Sequence, residues 1–147
     1  PTPSSPCCSE HRKRVSGPIM DRIDLSIEVP AVKVEKLTAD GKQLTAKSSK
    51  EIKKEVQIAR NMQTKRFRGT KLTCNAEMST KAVKEFCPLS NECATLLRQA
   101  VTQFQLSARA YYRLIKVART IADLAGDKSI VPMHIAEGLQ YRAKSEE

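Results

Sequence analysis

The sequence has no tryptophan, five glycines and two histidines in 147 residues. Each scarcity removes a class of function. No G-x-x-x-x-G-K-[ST] run occurs, and five glycines leave little material for any phosphate-cradling loop. There is no G-x-S-x-G elbow and no H-E-x-x-H pair. His11 and His134 are far apart in sequence, so independent acid–base or metal catalysis is poorly supported. No apolar run approaches the ~18 residues of a membrane span, and no basic-then-apolar leader opens the chain. No period of ~20–50 residues marks a repeat architecture. The six aromatics (Phe67, Phe86, Phe104, Tyr111, Tyr112, Tyr141) fall at core-like helical spacing and form no stacking platform for single strands. The five cysteines, Cys7, Cys8, Cys74, Cys87 and Cys93, are odd in number and irregularly spaced. That pattern reads as reduced thiols in a cytoplasmic protein and not as a disulfide framework.

What is present is a folded, basic chain. Forty per cent of residues are apolar and 29% are charged, which argues against wholesale disorder. The net charge of +10 favours acidic partners, with nucleic acid and nucleotide phosphates first. The excess is uneven. Residues 1–48 carry 8 basic and 6 acidic groups, whereas residues 50–71 alone carry 8 basic and 2 acidic.

The patterning changes along the chain. Residues 1–14 hold three prolines and no periodicity, as in a loop or frayed end. Residues 23–29 alternate strictly, with Ile23, Leu25, Ile27 and Val29 on one side, and predict a half-buried strand stopped by Pro30. A single strand cannot satisfy its own backbone, so its partners must lie elsewhere. Weak strand pieces around a turn at Asp40-Gly41 are expected within 31–47.

After residue 48 the period becomes helical. Ser48 or Ser49 caps a helix over about 49–66, with Glu51 in its first turn and Ile52, Val56, Ala59 and Met62 or Gln63 as its apolar stripe. Ser79 opens a short helix ended before Pro88, and Ser90 opens the next, with Leu96, Leu97, Ala100, Val101 and Phe104 as its face. Ser107 caps the longest, which runs to about Ala125 with Gly126 beyond it. Its seam is Ala108, Tyr111, Ile115, Ala118, Ala122 and Ala125. Pro132 starts the last. The expected fold is mainly α: a small helical bundle over 49–147, preceded by a mostly irregular segment, 1–48, that contains one strand.

Two segments carry candidate chemistry. In RVSGPIMDRIDLSIEVP, Arg22 stands at the mouth of the strand just after a turn, where a guanidinium fork suits a phosphate. The competing reading is a local pair with Asp21 or Asp24 that merely fixes the turn, and the residues alone favour it. In LSARAYYRLIKVARTIADLAG, Arg109 falls in the first turn after the Ser107 cap, where helix N–H groups already favour anions. Arg113 and Lys116 follow on the same side. The competing reading there is a solvated basic face. His134, near the start of the last helix, is read as a capping or surface residue.

Taken together, SGPxxDRIDLxxEVP, SSxxI, LSARAYxRxxKVARTIADLxG and HIAEGLQYR resemble the C-terminal part of the Mg-chelatase-like AAA+ ATPases, with the competence (ComM) branch nearest. The resemblance spans about residues 12–143. It implies that 1–48 is the C-terminal edge of an AAA+ core and that 49–147 is the helical lid. It gives Arg22 the role of an arginine finger toward a neighbouring subunit and Arg109 that of a sensor-2 residue. It implies ATP and Mg²⁺ in a longer parent and none in this stretch, which lacks a Walker A loop and so should not hydrolyse ATP alone. The implied partners are the upstream core, a homo-oligomeric ring (a hexamer) and DNA, with no membrane. The implied output is branch-migration helicase work, and the alternatives are a chelatase-type motor and a plain basic helical DNA-binding module. For DNA or phosphate contacts the candidates are Lys53, Lys54, Arg60, Lys65, Arg66 and Arg68. The family often carries a cysteine-rich, zinc-like stretch before SGP. Here Cys7, Cys8 and His11 are too few and too crowded for a closed tetrahedral site, so no metal is expected. Cys74, Cys87 and Cys93 read as small buried or half-buried hydrophobes.

Overall fold

The computed structural model describes residues 22–27, 29–31 and 47–142. The proline-rich start, the turn before Arg22, Asp21, the pieces expected at 32–46 and the residues after 142 lie outside the described residues. Five helices form within them: α1 (Ser49–Arg66), α2 (Thr80–Phe86), α3 (Asn91–Phe104), α4 (Ala108–Ala125) and α5 (Pro132–Gln140). A 3₁₀ turn at Asn75–Glu77 precedes α2. No helix is long and apolar enough to cross a membrane among the described residues.

Helix starts follow the serines. The hydroxyls of Ser48, Ser79, Ser90 and Ser107 accept from the backbone N–H groups of Glu51, Ala82, Cys93 and Ala110 at 3.2–3.3 Å. Each cap is worth roughly 0.5–2 kcal/mol. Glu51 returns the bond at 2.7 Å to the Ser48 N–H, closing a capping box. At the other end of α4, Gly126 takes φ +82°, a left-handed conformation that a side chain would strain.

Helix α4 is the axis of the bundle. It packs against α1, the 3₁₀ turn, α2 and α5, while α3 lies on α5. Its inward apolar side chains are Leu114, Ile115, Ala118 and Ala122. Small residues bring α5 close: a Cβ at Gly138 would stand 3.0 Å from Leu114 Cδ1. The core around this seam holds Phe67, Met78, Val83, Leu97, Ile130 and Ile135. Phe67 meets Phe86 edge-to-face at 5.4 Å between centroids.

Cys87 and Cys93 are buried in this core and Cys74 is half-buried, as small hydrophobes are. The Cys93 thiol donates to the Ile130 carbonyl at 3.4 Å. Burial pushes the Cys87 thiol up to about 11, with the charges of Arg119 and Arg66 pulling weakly the other way. Among these three, iodoacetamide at neutral pH is expected to label Cys74 first and to leave Cys87 and Cys93 unmodified while the chain is folded. Peptide mapping by mass spectrometry checks this. Labelling of Cys87 as fast as in denaturant would contradict the packing.

The structure departs from the sequence pattern in three places. The apolar stripe of α1 is buried only at its C-terminal end. Ala59 and Gln63 are covered, whereas Ile52 and Val56 remain 49% and 45% exposed. The helix simply overhangs the bundle. The alternating segment forms no ladder among the described residues, and Ile27 and Val29 are 68% and 82% exposed. A strand needs a neighbour, and the helical bundle supplies none. His134 is not on the surface: it is buried, and its Nδ1 accepts from the Val131 N–H at 3.2 Å while Nε2 lies 3.1 Å from Asp127. The capping half of its expected role therefore stands.

Candidate phosphate site between the first segment and α4

The segment 22–27 lies along the flank of α4. Between them opens a cleft of about 960 Å³. Arg22 enters from the segment, and Arg109, Arg113 and Lys116 enter from α4. Apolar side chains such as Leu25, Val117 and Ile121 also line it. The two arginines that stand 87 residues apart in sequence therefore border one space, together with two further cations and the carboxylates of Asp24 and Glu137.

The local geometry explains why each sits there. Arg109 is the second residue of α4, directly after the Ser107 cap, so it lies beside the helix N-terminus. It is exposed, and among the described residues it has no ion-pair partner. Arg22 is exposed in a turn. The local pair with Asp24 that could have explained Arg22 is not made. Asp24 pairs instead with Arg113, Oδ1 to Nε at 2.8 Å. Asp21 lies outside the described residues. Lys116 is engaged by the Ala76 carbonyl, to which it donates at 2.9 Å. Of the four cations, Arg22 and Arg109 are thus the two left for a ligand. Exposed charges at a cleft rim attract a polyphosphate without the desolvation cost of a buried ion.

Arg109→Ala should change the stability of the helical domain by less than ~0.5 kcal/mol, because the side chain is exposed and makes no ion pair among the described residues. Thermal denaturation of the 147-residue chain reads this directly. A steep fall in the midpoint would make Arg109 a structural ion-pair residue.

The basic run on α1 divides. At 100° per residue, Lys53, Lys54, Arg60 and Lys65 fall within an arc of about 140°, and all four are exposed. Arg68 is exposed just beyond the helix end. Arg66 does not belong with them. It lies on the Ala59–Gln63 side, and its guanidinium grips both oxygens of Asp123, Nη1 to Oδ2 at 2.8 Å and Nη2 to Oδ1. Its side chain is 14% exposed. An arginine held this way is engaged inside the fold, which sets Arg66 apart from the other candidate DNA or phosphate contacts.

That pair is part of a buried polar cluster that sequence reasoning missed. Asn75 donates to Asp123 Oδ2 at 2.8 Å and to the Thr120 hydroxyl at 3.1 Å, and accepts from Arg66 at 2.9 Å. Arg119 pairs with Asp123 from the next turn of α4 and donates to the carbonyls of Asp127 and Lys128 at 2.6 and 2.9 Å. The i, i+4 spacing of Arg119 and Asp123 was visible in sequence, but an exposed pair has the same spacing. Among the described residues no group of three or more His, Cys, Asp or Glu is placed to hold a metal ion. Cys7, Cys8 and His11 lie outside them.

Comparison with known proteins agrees with this architecture. Residues 46–142 match the family described as magnesium chelatase, subunit ChlI C-terminal. The chain belongs to this Mg-chelatase-like family, on its ComM branch. Residues 2–37 match magnesium chelatase, subunit ChlI. The competence protein ComM of Haemophilus influenzae is 40% identical over 130 residues, which cover 88% of this chain and 24% of that protein. The uncharacterized protein YifB of Escherichia coli is 39% identical over 133 residues, again 88% of this chain and 24% of the relative. The chain spans about a quarter of the length of the curated relatives it matches. Residues 46–142, which contain all five helices, are thus the C-terminal, lid-type domain of a Mg-chelatase-type protein.

Proposed function

We propose that this chain supplies the lid and two phosphate-directed arginines of an AAA+ ATPase that remodels DNA. The observation that carries the reading is the meeting of Arg22 and Arg109 at one cleft, both exposed and neither used by an internal ion pair among the described residues. A fork cation delivered to the γ-phosphate stabilises the charge that develops during phosphoryl transfer. Arg22, from a segment held at the edge of the bundle, acts as the finger on a neighbouring subunit's ATP. Arg109, beside a helix N-terminus, binds phosphate of the same nucleotide from the other wall of the cleft. Magnesium bound with ATP would supply positive charge to neutralise its phosphates. Its protein ligands belong to the proposed upstream core, and the ring would be a homo-oligomer, a hexamer, working in the cytoplasm.

The output on DNA rests on the exposed arc of Lys53, Lys54, Arg60 and Lys65, continued by Arg68. The test uses the full protein with its proposed core. ATP hydrolysis is measured with and without a four-way DNA junction, for the native protein and for Lys53→Glu/Lys54→Glu/Arg60→Glu. A DNA motor is expected to hydrolyse faster with the junction and to lose that stimulation, but not its basal rate, in the triple variant. A chelatase-type motor would ignore the junction in both.

A further inference from the structure

Arg113 lies one turn beyond Arg109 on α4. Its guanidinium leaves the helix and grips the segment that carries Arg22. Nε is 2.8 Å from Asp24 Oδ1, and Nη2 donates to the carbonyl of Ile23. These acceptors belong to the two residues immediately after Arg22. A second tie lies just downstream, where the Ser26 N–H donates to the Tyr141 carbonyl at 2.7 Å. Apolar burial does little for this segment, since Ile23 and Leu25 are 43% and 49% exposed and Ile27 still more so. Arg113 itself is 19% exposed in its side chain, so its charge is partly shielded from water. A lysine would offer a point charge there, not a planar guanidinium that pairs with Asp24 and donates to the Ile23 carbonyl together.

We propose that Arg113 is a positioning residue: it clamps the Ile23 carbonyl and the Asp24 side chain to the helix that bears Arg109, so that Arg22 and Arg109 keep one spacing and move as a unit when α4 moves. The consequence for hydrolysis rests on the phosphate reading of those two arginines, but the clamp itself does not.

Amide hydrogen exchange on the 147-residue chain tests the clamp. Arg113→Ala is expected to speed exchange of the Ser26 amide on the order of 10-fold, the effect of losing a charged, partly exposed hydrogen-bonded pair. Asp24→Asn, which leaves α4 untouched, is expected to do the same. The double variant is expected to be no faster than Arg113→Ala alone, because Arg113→Ala already removes the ion pair that Asp24→Asn removes. Arg113→Lys should restore part of the protection, and the Ala118 amide in the core should be unmoved throughout. Unchanged Ser26 exchange in both single variants overturns the clamp. In the full protein, Arg113→Ala is expected to lower kcat for ATP at least 10-fold with KM changed less than about twofold. A normal kcat there, beside a dead Arg22→Ala, overturns the positioning role. If Arg22→Ala hydrolyses ATP normally, the phosphate reading fails instead, and the Ser26 exchange result decides the clamp by itself.

Discussion

Asp123→Ala is expected to destabilise the helical domain by about 3–5 kcal/mol, the cost of leaving buried charge without its partner. Asp123 is fully buried and accepts from Arg66, Asn75 and Arg119. Its removal strands two guanidinium groups. Arg119 keeps the carbonyls of Asp127 and Lys128, but Arg66 keeps only the Asn75 side chain among these contacts. Through that cluster α1, the 3₁₀ turn and α4 are tied together, so the loss should be felt as looser docking of α1. At roughly 4–8 °C per kcal/mol for a domain of this size, the midpoint should fall by more than ten degrees. Arg66→Met should cost less, because Asp123 retains Arg119 and the methionine refills part of the space. Urea denaturation of both variants checks the order. A loss below about 1 kcal/mol for Asp123→Ala would mean that water reaches the cluster and that it is surface-like.

The same carboxylate gives a pH dependence. Burial alone would push its pKa up. The hydrogen bonds from Arg66 and Asn75 and the charges of Arg119 and Arg66 outweigh that and hold it below the usual carboxylate range. A group lowered on folding contributes fully above its unfolded pKa, ~3.9, and loses that contribution as pH falls through the folded value. Stability should therefore hold from neutral pH to about 4 and fall below it. In Asp123→Ala that acid-side loss should be smaller.

The contrast between what was legible and what was not has a physical cause. Helix starts and stops are local, since a serine and the N–H three residues on make a cap without help from the rest of the chain. All five helices were therefore readable, as was Gly126 as the end of α4. Placement of charge is not local. Arg66 looks like one more cation in a run of eight between residues 50 and 71, and only the fold brings Asp123, 57 residues away, to it. Ile52 and Val56 fit an apolar stripe, but periodicity does not say where the neighbouring helix ends. The alternation at 23–29 is plain in the sequence, yet no ladder forms among the described residues, for the same reason: a strand is a property of two segments. The resemblance implied a role for Arg22 and a role for Arg109, but their meeting at one cleft came only with the fold. Neither residue type nor distance along the chain distinguishes a placed arginine from a solvated one.

Arg22→Ala should have the largest effect on activity. A finger acts on a phosphate bound elsewhere, so its loss should spare ATP binding and reduce turnover by on the order of 10³-fold or more. Stability should barely move, because the side chain is exposed and Asp24, the nearby carboxylate, is already held by Arg113. A merely structural Arg22 would behave in the opposite way, costing at most about 1 kcal/mol of stability and leaving the chemistry alone.

The decisive measurement is ATP hydrolysis by the full protein in mixed rings. Arg22→Ala subunits are combined with subunits that lack the phosphate-loop lysine of the proposed core. Each kind should be nearly inactive alone. At an interface where an Arg22-bearing subunit faces an intact phosphate loop, one complete site is rebuilt, so the mixture should recover a clear fraction of native turnover. Normal hydrolysis by Arg22→Ala alone would remove Arg22 from the active site and contradict the account.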